Sequence, residues 1–299
     1  MSEIWFLYAL ASVVSLGFTT IVDKLMLEKR LSAFSYFVSY VPPALTFSIA
    51  VLLYLPTSVF SRPYAIAFAA GAISAAGFFT YARTMRREEA SRIAALTSLS
   101  PAFVAVLAVF LLDEVLSSSS YLGIALMIAG SALIGYKRKS EQKLIPASLV
   151  VMLISANFFF GLEQTFSKIS LNEISFWPFE MMFLFGRFAI VFPALALPQV
   201  RRKAFSEVKQ LQLGPALTLA SASIMWTLGI VCFFYAASLG PITLVSATVL
   251  ISPLVTLLFA ILITKYLPGV LKEEIDTGTI ALKLIAIILI VVGTYIMIP

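Results

Sequence analysis

The chain has 299 residues, of which 61% are hydrophobic and only 12% are charged, and its mean hydropathy is +1.00. A soluble chain carries about 25% charged residues, so this composition excludes an ordinary soluble protein and makes lipid the solvent for much of the surface. One cysteine, Cys232, and no histidine exclude a disulfide framework within the chain and leave no spacing typical of a metal site. We therefore expect no metal, no cofactor and no catalytic centre.

Ten apolar runs follow one another along the chain, each near the ~20 residues that a helix needs to cross a bilayer. They cover residues 4–27, 34–55, 63–82, 92–112, 120–136, 145–168, 176–197, 213–237, 241–264 and 280–298. Spanning strands would alternate in polarity over about ten residues, whereas these runs are continuous and longer. The sequence predicts an all-α polytopic membrane protein of ten transmembrane helices, whose longest loops lie near 198–212 and 265–279.

Lysines and arginines divide unevenly between the two sets of predicted loops. Seventeen fall in one set, and only Arg62 and Lys168 fall in the other. Because cytoplasmic loops are enriched in these residues, the rich side is predicted to face the cytoplasm, with both termini outside the cytoplasmic membrane. The net charge of +6 is spread over five turns rather than gathered in one patch, which argues against nucleic acid as a partner.

The two halves of the sequence resemble each other. SLSPAFVAVLAVFLLDE (98–114) aligns without a gap on LISPLVTLLFAILITKY (250–266), and GFTTIVDK (17–24) aligns on GLEQTFSK (161–168). The paired residues include Pro101 with Pro253, Gly17 with Gly161, and Gly130 with Gly293. Such matches predict an internal repeat.

The predicted repeats cover residues 1–140 and 141–299, with five helices each. Because five is an odd number, the second repeat is inverted in the membrane relative to the first. Inverted repeats are typical of transporters that work by alternating access and hold the substrate near the midplane.

The segment ASRIAALTSLSPAFVAVLAVFLLDEVLSSSSYLGIALMIAGSALIGY (90–136) resembles the pattern of EamA-type transporters of the drug/metabolite transporter superfamily. Pro101, the acidic turn at Glu114 and the spaced Gly123 and Gly130 carry the resemblance. It implies a ten-helix carrier of small metabolites, such as amino acids, with export as the commoner direction. Commonly studied members have cytoplasmic termini, whereas the charges here predict the opposite orientation.

Arg187 lies near the centre of the seventh apolar run, in FLFGRFAIVF. An arginine at that depth costs at least ~2.5–3.5 kcal/mol when it faces lipid, so it is expected to face a cavity or a partner. It could anchor a carboxylate or phosphate of the substrate through its bidentate fork. It could instead hold helix-end carbonyls or an acidic neighbour.

Further candidates lie on the sixth run. Asn157, Gly161, Gln164 and Lys168 share one helical face, which suits either a cavity wall or a helix–helix contact. Glu163 could titrate and couple transport to protons, pair with Arg187, or simply reach the membrane interface. For Glu180, a structural ion pair or a position at the membrane interface is the favoured interpretation.

Aromatic side chains and helix breaks complete the candidates. Tyr81 and Trp226 could stack on a ring or a cation. Pro101 and Pro253 remove backbone hydrogen bonds and are expected to bend their helices, and Gly17 and Gly161 are expected to contribute further hinges.

A carrier of a small organic solute, acting as a monomer or homodimer in the bilayer, is the function that these patterns favour. An intramembrane enzyme would need a nucleophile with a base or paired carboxylates, and the composition argues against both. A channel or a structural membrane subunit is the remaining alternative, and neither needs two inverted halves.

Overall fold

The computed structural model describes residues 4–52, 61–85, 99–134, 147–266 and 277–297. Within these ranges the chain forms fourteen α-helices, one 3-10 turn at Val249–Ile251 and no strand, which confirms the all-α class. The helices are α1 Ile4–Lys29, α2 Ala33–Ser39, α3 Val41–Leu52, α4 Arg62–Met85, α5 Ser100–Leu112, α6 Ser118–Ile134, α7 Ala147–Leu171, α8 Phe176–Phe188, α9 Val191–Ala196, α10 Pro198–Lys209, α11 Leu213–Leu239, α12 Ile242–Thr248, α13 Ser252–Tyr266 and α14 Thr277–Met297.

Six stretches of the described helices are long and apolar enough to cross a bilayer. They are Ile4–Leu27, Arg62–Thr84, Val150–Leu171, Phe176–Ala196, Leu213–Leu239 and Ile242–Ile263. Shorter apolar helices overlap three more of the predicted runs, at Ser100–Leu112, Ser118–Leu133 and Leu284–Ile296. The chain therefore has the helices of a multi-pass membrane protein.

Two runs that the sequence presents as single helices are broken. The second run divides at Tyr40, because prolines at 42 and 43 fit the first turn of a helix but not its interior. The seventh run divides at Ala189–Ile190, since Pro193 has no N–H to donate to the Ala189 carbonyl.

The segment predicted as a loop near 198–212 is mostly helical. Pro198 suits the start of α10, and Val200, Ala204 and Val208 follow at helical spacing on its inward side. The helix packs on α2, where the Glu207 carboxylate accepts the backbone N–H of Ser32 at 2.8 Å. This contact agrees with the predicted placement of both segments on the lysine-rich side.

The long helices pack in a repeated arrangement. Helix α1 packs along α11 and against α13, and α7 packs in the same way along α4 and against α5. Helices α6 and α14 pack against each other, and α4 also packs along α8. The core between them is rich in fully buried aromatic side chains, including Tyr36, Phe37, Phe179, Phe183 and Phe234.

Charged side chains join helix ends on the lysine-poor side. Glu114, after α5, accepts the backbone N–H groups of Ile242 and Thr243 at 3.1 and 2.9 Å. Lys168, near the end of α7, donates to the Gly240 carbonyl at 3.0 Å. A carboxylate at a helix N-terminus and an ammonium at a helix C-terminus both oppose the helix dipole, so these contacts hold the turn between α11 and α12 in place.

Candidate functional site

A cavity of about 200 Å³ lies in the middle of the bundle, between helices of both predicted repeats. Helices α1, α4 and α5 contribute to its wall from the first repeat, and α7, α8 and α11 from the second. Its charged and aromatic lining includes Asp23, Tyr40, Tyr81, Glu163, Arg187 and Trp226. A concave site with a few polar groups in an apolar wall is the usual form of a small-molecule site.

Arg187 is buried and faces this cavity. Its guanidinium carbon lies 4.4 Å from the centre of the Trp226 ring and 5.4 Å from that of Phe37, within the range of cation–π attraction. One terminal nitrogen, Nη1, donates to the hydroxyl of Ser74. The Nε atom has no hydrogen-bond partner among the described residues, so the fork is only partly used by the protein.

The close approach of α4 to α8 positions the hydrogen bond between Arg187 and Ser74. A Cβ atom on Gly71 would collide with the carbonyl oxygen of Phe183, and one on Gly186 would collide with that of Phe68. Only glycine lets the two backbones come this close. Ser74 lies one turn after Gly71, and it therefore reaches the guanidinium.

Glu163 lines the same cavity as Ser74 and Arg187, and its carboxylate interacts with both residues. No ion pair within 4.0 Å joins Glu163 to Arg187 among the described residues, so its pairing with Arg187 stays a prediction. Glu180 departs from expectation, because it is fully buried and neither carboxylate oxygen has a hydrogen-bond partner among the described residues.

The other predicted substrate-binding residues divide into two groups. Gln164, Tyr81 and Trp226 line the cavity. Asn157 does not, since it is fully buried and its Nδ2 donates to the Leu153 carbonyl within the same helix at 2.7 Å.

The predicted hinge residues also differ from one another. Helices α1 and α7 run without interruption through Gly17 and Gly161, which lie at close contacts with neighbouring helices. Pro101 is buried at the second position of α5, and Pro253 is the second residue of α13, directly after the 3-10 turn.

Sequence reasoning missed a cluster of four polar side chains, which we call the Asp23 cluster. The Tyr36 hydroxyl donates to Asp23 Oδ1 at 2.5 Å, and the Tyr81 hydroxyl donates to Oδ2 at 3.2 Å. The Tyr40 hydroxyl lies 3.4 Å from Oδ1 and 2.5 Å from the hydroxyl of Tyr36. Asp23, Tyr40 and Tyr81 line the cavity, and Tyr36 lies behind them.

Residues 3–136 match the EamA-like transporter family. This part of the chain is similar to members of that family. The match covers the first predicted repeat, confirms the resemblance carried by Pro101, Glu114, Gly123 and Gly130, and indicates a membrane transporter of the drug/metabolite type. Members of the family are transporters rather than enzymes.

The whole chain is similar in fold to solved structures. One crystal structure aligns over 99% of this chain and 96% of its own chain, with a TM-score of 0.71 and 16% sequence identity. At that identity the similarity shows the fold alone. No curated protein matches the sequence significantly.

Proposed function

We propose that this protein is a secondary active transporter that exports a small organic solute across the cytoplasmic membrane by alternating access. The solute is an amino acid or a related compound with an anionic group. Arg187 carries this proposal, because a buried guanidinium with an unused Nε atom faces a cavity in the middle of the bundle. Arginine binds carboxylate or phosphate through two parallel hydrogen bonds.

The scaffold that we propose has ten spans in two inverted repeats, residues 1–140 and 141–299. Contacts that occur twice support it. A Cβ atom on Gly17 would lie 2.8 Å from Val255, and one on Gly161 would lie 2.7 Å from Phe103. The sequence alignment pairs Gly17 with Gly161 and Phe103 with Val255, so the same type of contact between the two halves occurs twice.

Two further pairs of glycine contacts also occur once from each half. Gly130 faces Ile290, and Gly293 faces Met127, which are partners across α6 and α14. Likewise, Gly77 of α4 faces Phe160 of α7, and Gly229 of α11 faces Leu16 of α1. These recurrent contacts are what a two-fold relation between the halves requires.

The contacts at the lysine-poor side support a state in which that end is closed. Glu114 and Lys168 hold the turn between α11 and α12, and neither of them lines the cavity. In alternating access these contacts would break when the cavity opens to that side, while the helices themselves stay intact.

Transport can be tested with the purified chain in liposomes. Labelled amino acids, hydroxy acids and sugar phosphates should include solutes that exchange saturably, and Arg187→Ala should abolish exchange of the anionic ones. Arg201→Ala is the matched control, because it removes an arginine from the exposed face of α10. Failure of the wild type across the whole panel, or normal exchange by Arg187→Ala, would contradict the proposal.

The orientation can be tested separately. After Cys232→Ala removes the native thiol, a cysteine placed within residues 138–143, which lie outside the described residues, should react with a membrane-impermeant maleimide only from the cytoplasmic side. A cysteine at Ser119, on the lysine-poor side, should react only from outside. The reverse pattern would contradict the orientation that the charges predict.

A further inference from the structure

The Asp23 cluster belongs to only one of the two repeats. The alignment of 17–24 on 161–168 places Ser167 at the position of Asp23. Ser32 and Ser175 occupy the same N-cap position before α2 and α8, with φ and ψ of −68° and 155° and of −69° and 155°. This register places Phe179 and Phe183 at the positions of Tyr36 and Tyr40.

Tyr81, the fourth member of the Asp23 cluster, also has a counterpart in the second repeat. Gly77 and Gly229 make equivalent contacts, which places Phe233 at the position of Tyr81. The second repeat thus keeps all three aromatic rings and lacks the carboxylate and all three phenolic hydroxyls. Packing explains the rings, but it does not explain why the polar atoms occur together in one half.

The cavity wall holds more acidic than basic side chains among the described residues. Two carboxylates, Asp23 and Glu163, line it together with one guanidinium, that of Arg187. Glu163 is the stronger electrostatic partner of Arg187. When all three groups are ionised, one negative charge on the described wall lacks a counter-charge, and a charge in a low-dielectric site is stable only when it is paired.

We propose that the Asp23 cluster binds the ammonium group of the transported solute. A hydroxyl that donates its hydrogen to Asp23 still has oxygen lone pairs to accept other donors. The carboxylate and the two phenolic oxygens that line the cavity match the three N–H donors of a primary ammonium. The Tyr40 ring packs edge to face with Trp226, with 5.4 Å between ring centres, and adds aromatic surface to this side of the cavity.

This assignment rests on the transport function proposed above and narrows its substrate class. The solute would carry a primary amine as well as an anionic group, with the amine at Asp23 and the anion at Arg187. The two groups belong to different repeats, so the solute would lie across the interface between them.

Matched probes separate the two subsites. L-phenylalanine carries both charged groups, 3-phenyllactate carries only the anion, and 2-phenylethylamine carries only the amine, on closely related skeletons. The corresponding compounds derived from leucine form a second series of the same design. Dissociation constants are measured on the purified full chain by ligand-induced thermal stabilisation. The wild type should bind the amino acid about tenfold more tightly than its hydroxy acid, as expected for a charge-assisted hydrogen bond.

Asp23→Asn should remove this tenfold preference and leave hydroxy acid affinity unchanged. Asp113→Asn is the matched control, because it makes the same chemical change at an exposed site outside the cavity. Tyr81→Phe keeps the ring and removes one hydroxyl, so it should reduce the preference in part. If Asp23→Asn does not fold, Tyr81→Phe is the variant that tests the assignment.

Three results would overturn the assignment. They are a wild type that binds no amine of the panel, a wild type without preference for the amine, and an Asp23→Asn variant that keeps the preference. If that variant keeps the preference but changes the pH dependence of binding, the third result would also assign Asp23 to a proton instead. In each of these cases, saturable exchange of the hydroxy acids in liposomes would still support the proposed transport function. Conversely, amine binding that depends on Asp23, without exchange of any solute, would contradict the transport function but not the ammonium site.

Discussion

The carboxylate of Glu114 accepts the backbone N–H of Thr243 in the first turn of α12 at 2.9 Å. It thereby joins the turn after α5 to a helix of the other predicted repeat. Glu114→Gln keeps the shape but removes the charge from a helix N-terminus, so the free energy of unfolding should fall by about 1 kcal/mol. Thermal unfolding in detergent measures the change.

Asp113→Asn serves as the control for that variant. Asp113 is exposed and has a φ of 53°, in the left-handed region that asparagine also tolerates. Its stability should match that of the wild type. An equal loss in both variants would mean that the carboxylate of Glu114 has no specific role.

Lys168 was one of four residues on the polar face of the sixth run, but its ammonium donates to the carbonyls of Ala237 and Gly240 at 2.7 and 3.0 Å. Lys168→Met retains most of the side-chain volume and leaves these carbonyls without their donor. The apparent Tm should fall, and the Kd of the transported solute should stay within about twofold, because the residue does not line the cavity. A large change in Kd with an unchanged Tm would show that Lys168 contacts the solute instead.

Gly71→Ala tests the close crossing of α4 and α8. The added methyl would meet backbone atoms of Phe183, which no side-chain rotation can relieve. We expect the free energy of unfolding to fall by more than about 3 kcal/mol. The measurement is the fraction of the protein that is monodisperse after extraction in detergent, which should be small. Gly214→Ala, in the first turn of α11, has open space around the new methyl and should express like the wild type; similar behaviour of the two variants would contradict the crossing.

Glu207 gives the contact between α10 and α2 a dependence on pH. Partial burial acts to raise the pKa of this carboxyl, but hydrogen bonds from Ser32 and Ser35, together with Lys203, outweigh it and hold the pKa below its usual value of 4.5. A carboxyl whose pKa is lower in the folded than in the unfolded protein stabilises the fold fully at pH values above its unfolded pKa. This stabilisation is lost as the pH falls through the folded pKa.

The Tm difference between the wild type and Glu207→Gln should therefore be constant near neutral pH and shrink below about pH 4.5. Glu173→Gln, which alters an exposed carboxylate after α7, provides the baseline. A difference that stays constant into the acid range would show that the contact does not depend on the charge of Glu207.

Much of the helical scaffold could be predicted from sequence, because long apolar runs leave the chain no alternative in lipid. The break after Tyr40 could have been read from the two prolines that follow it, and α10 from the spacing of its apolar residues. Arg187 was evident because a charge in the centre of an apolar run is costly.

The Asp23 cluster was not evident for the opposite reason. Asp23 lies only four residues from the end of its run, where a carboxylate reaches the interface at little cost. Tyr36 and Tyr40 share a helical face but resemble ordinary aromatic packing. Tyr81 comes from a helix further along the chain, and no spacing reveals that three segments meet around one carboxylate. The burial of Glu180 without a hydrogen-bond partner among the described residues could not be predicted either, because it depends on neighbours that only the fold brings together.

The wall of the cavity has three unlike parts, with the guanidinium of Arg187, the Asp23 cluster and the apolar ring of Phe233 on separate helices. For an α-amino acid whose carboxylate and amine meet the first two parts, a side chain and a hydrogen remain on the chiral carbon, and only the side chain is large enough to reach the third part. In the mirror image that substituent points away from Phe233. With the amine and the anion placed as proposed, the two enantiomers of one amino acid should therefore bind with different affinities.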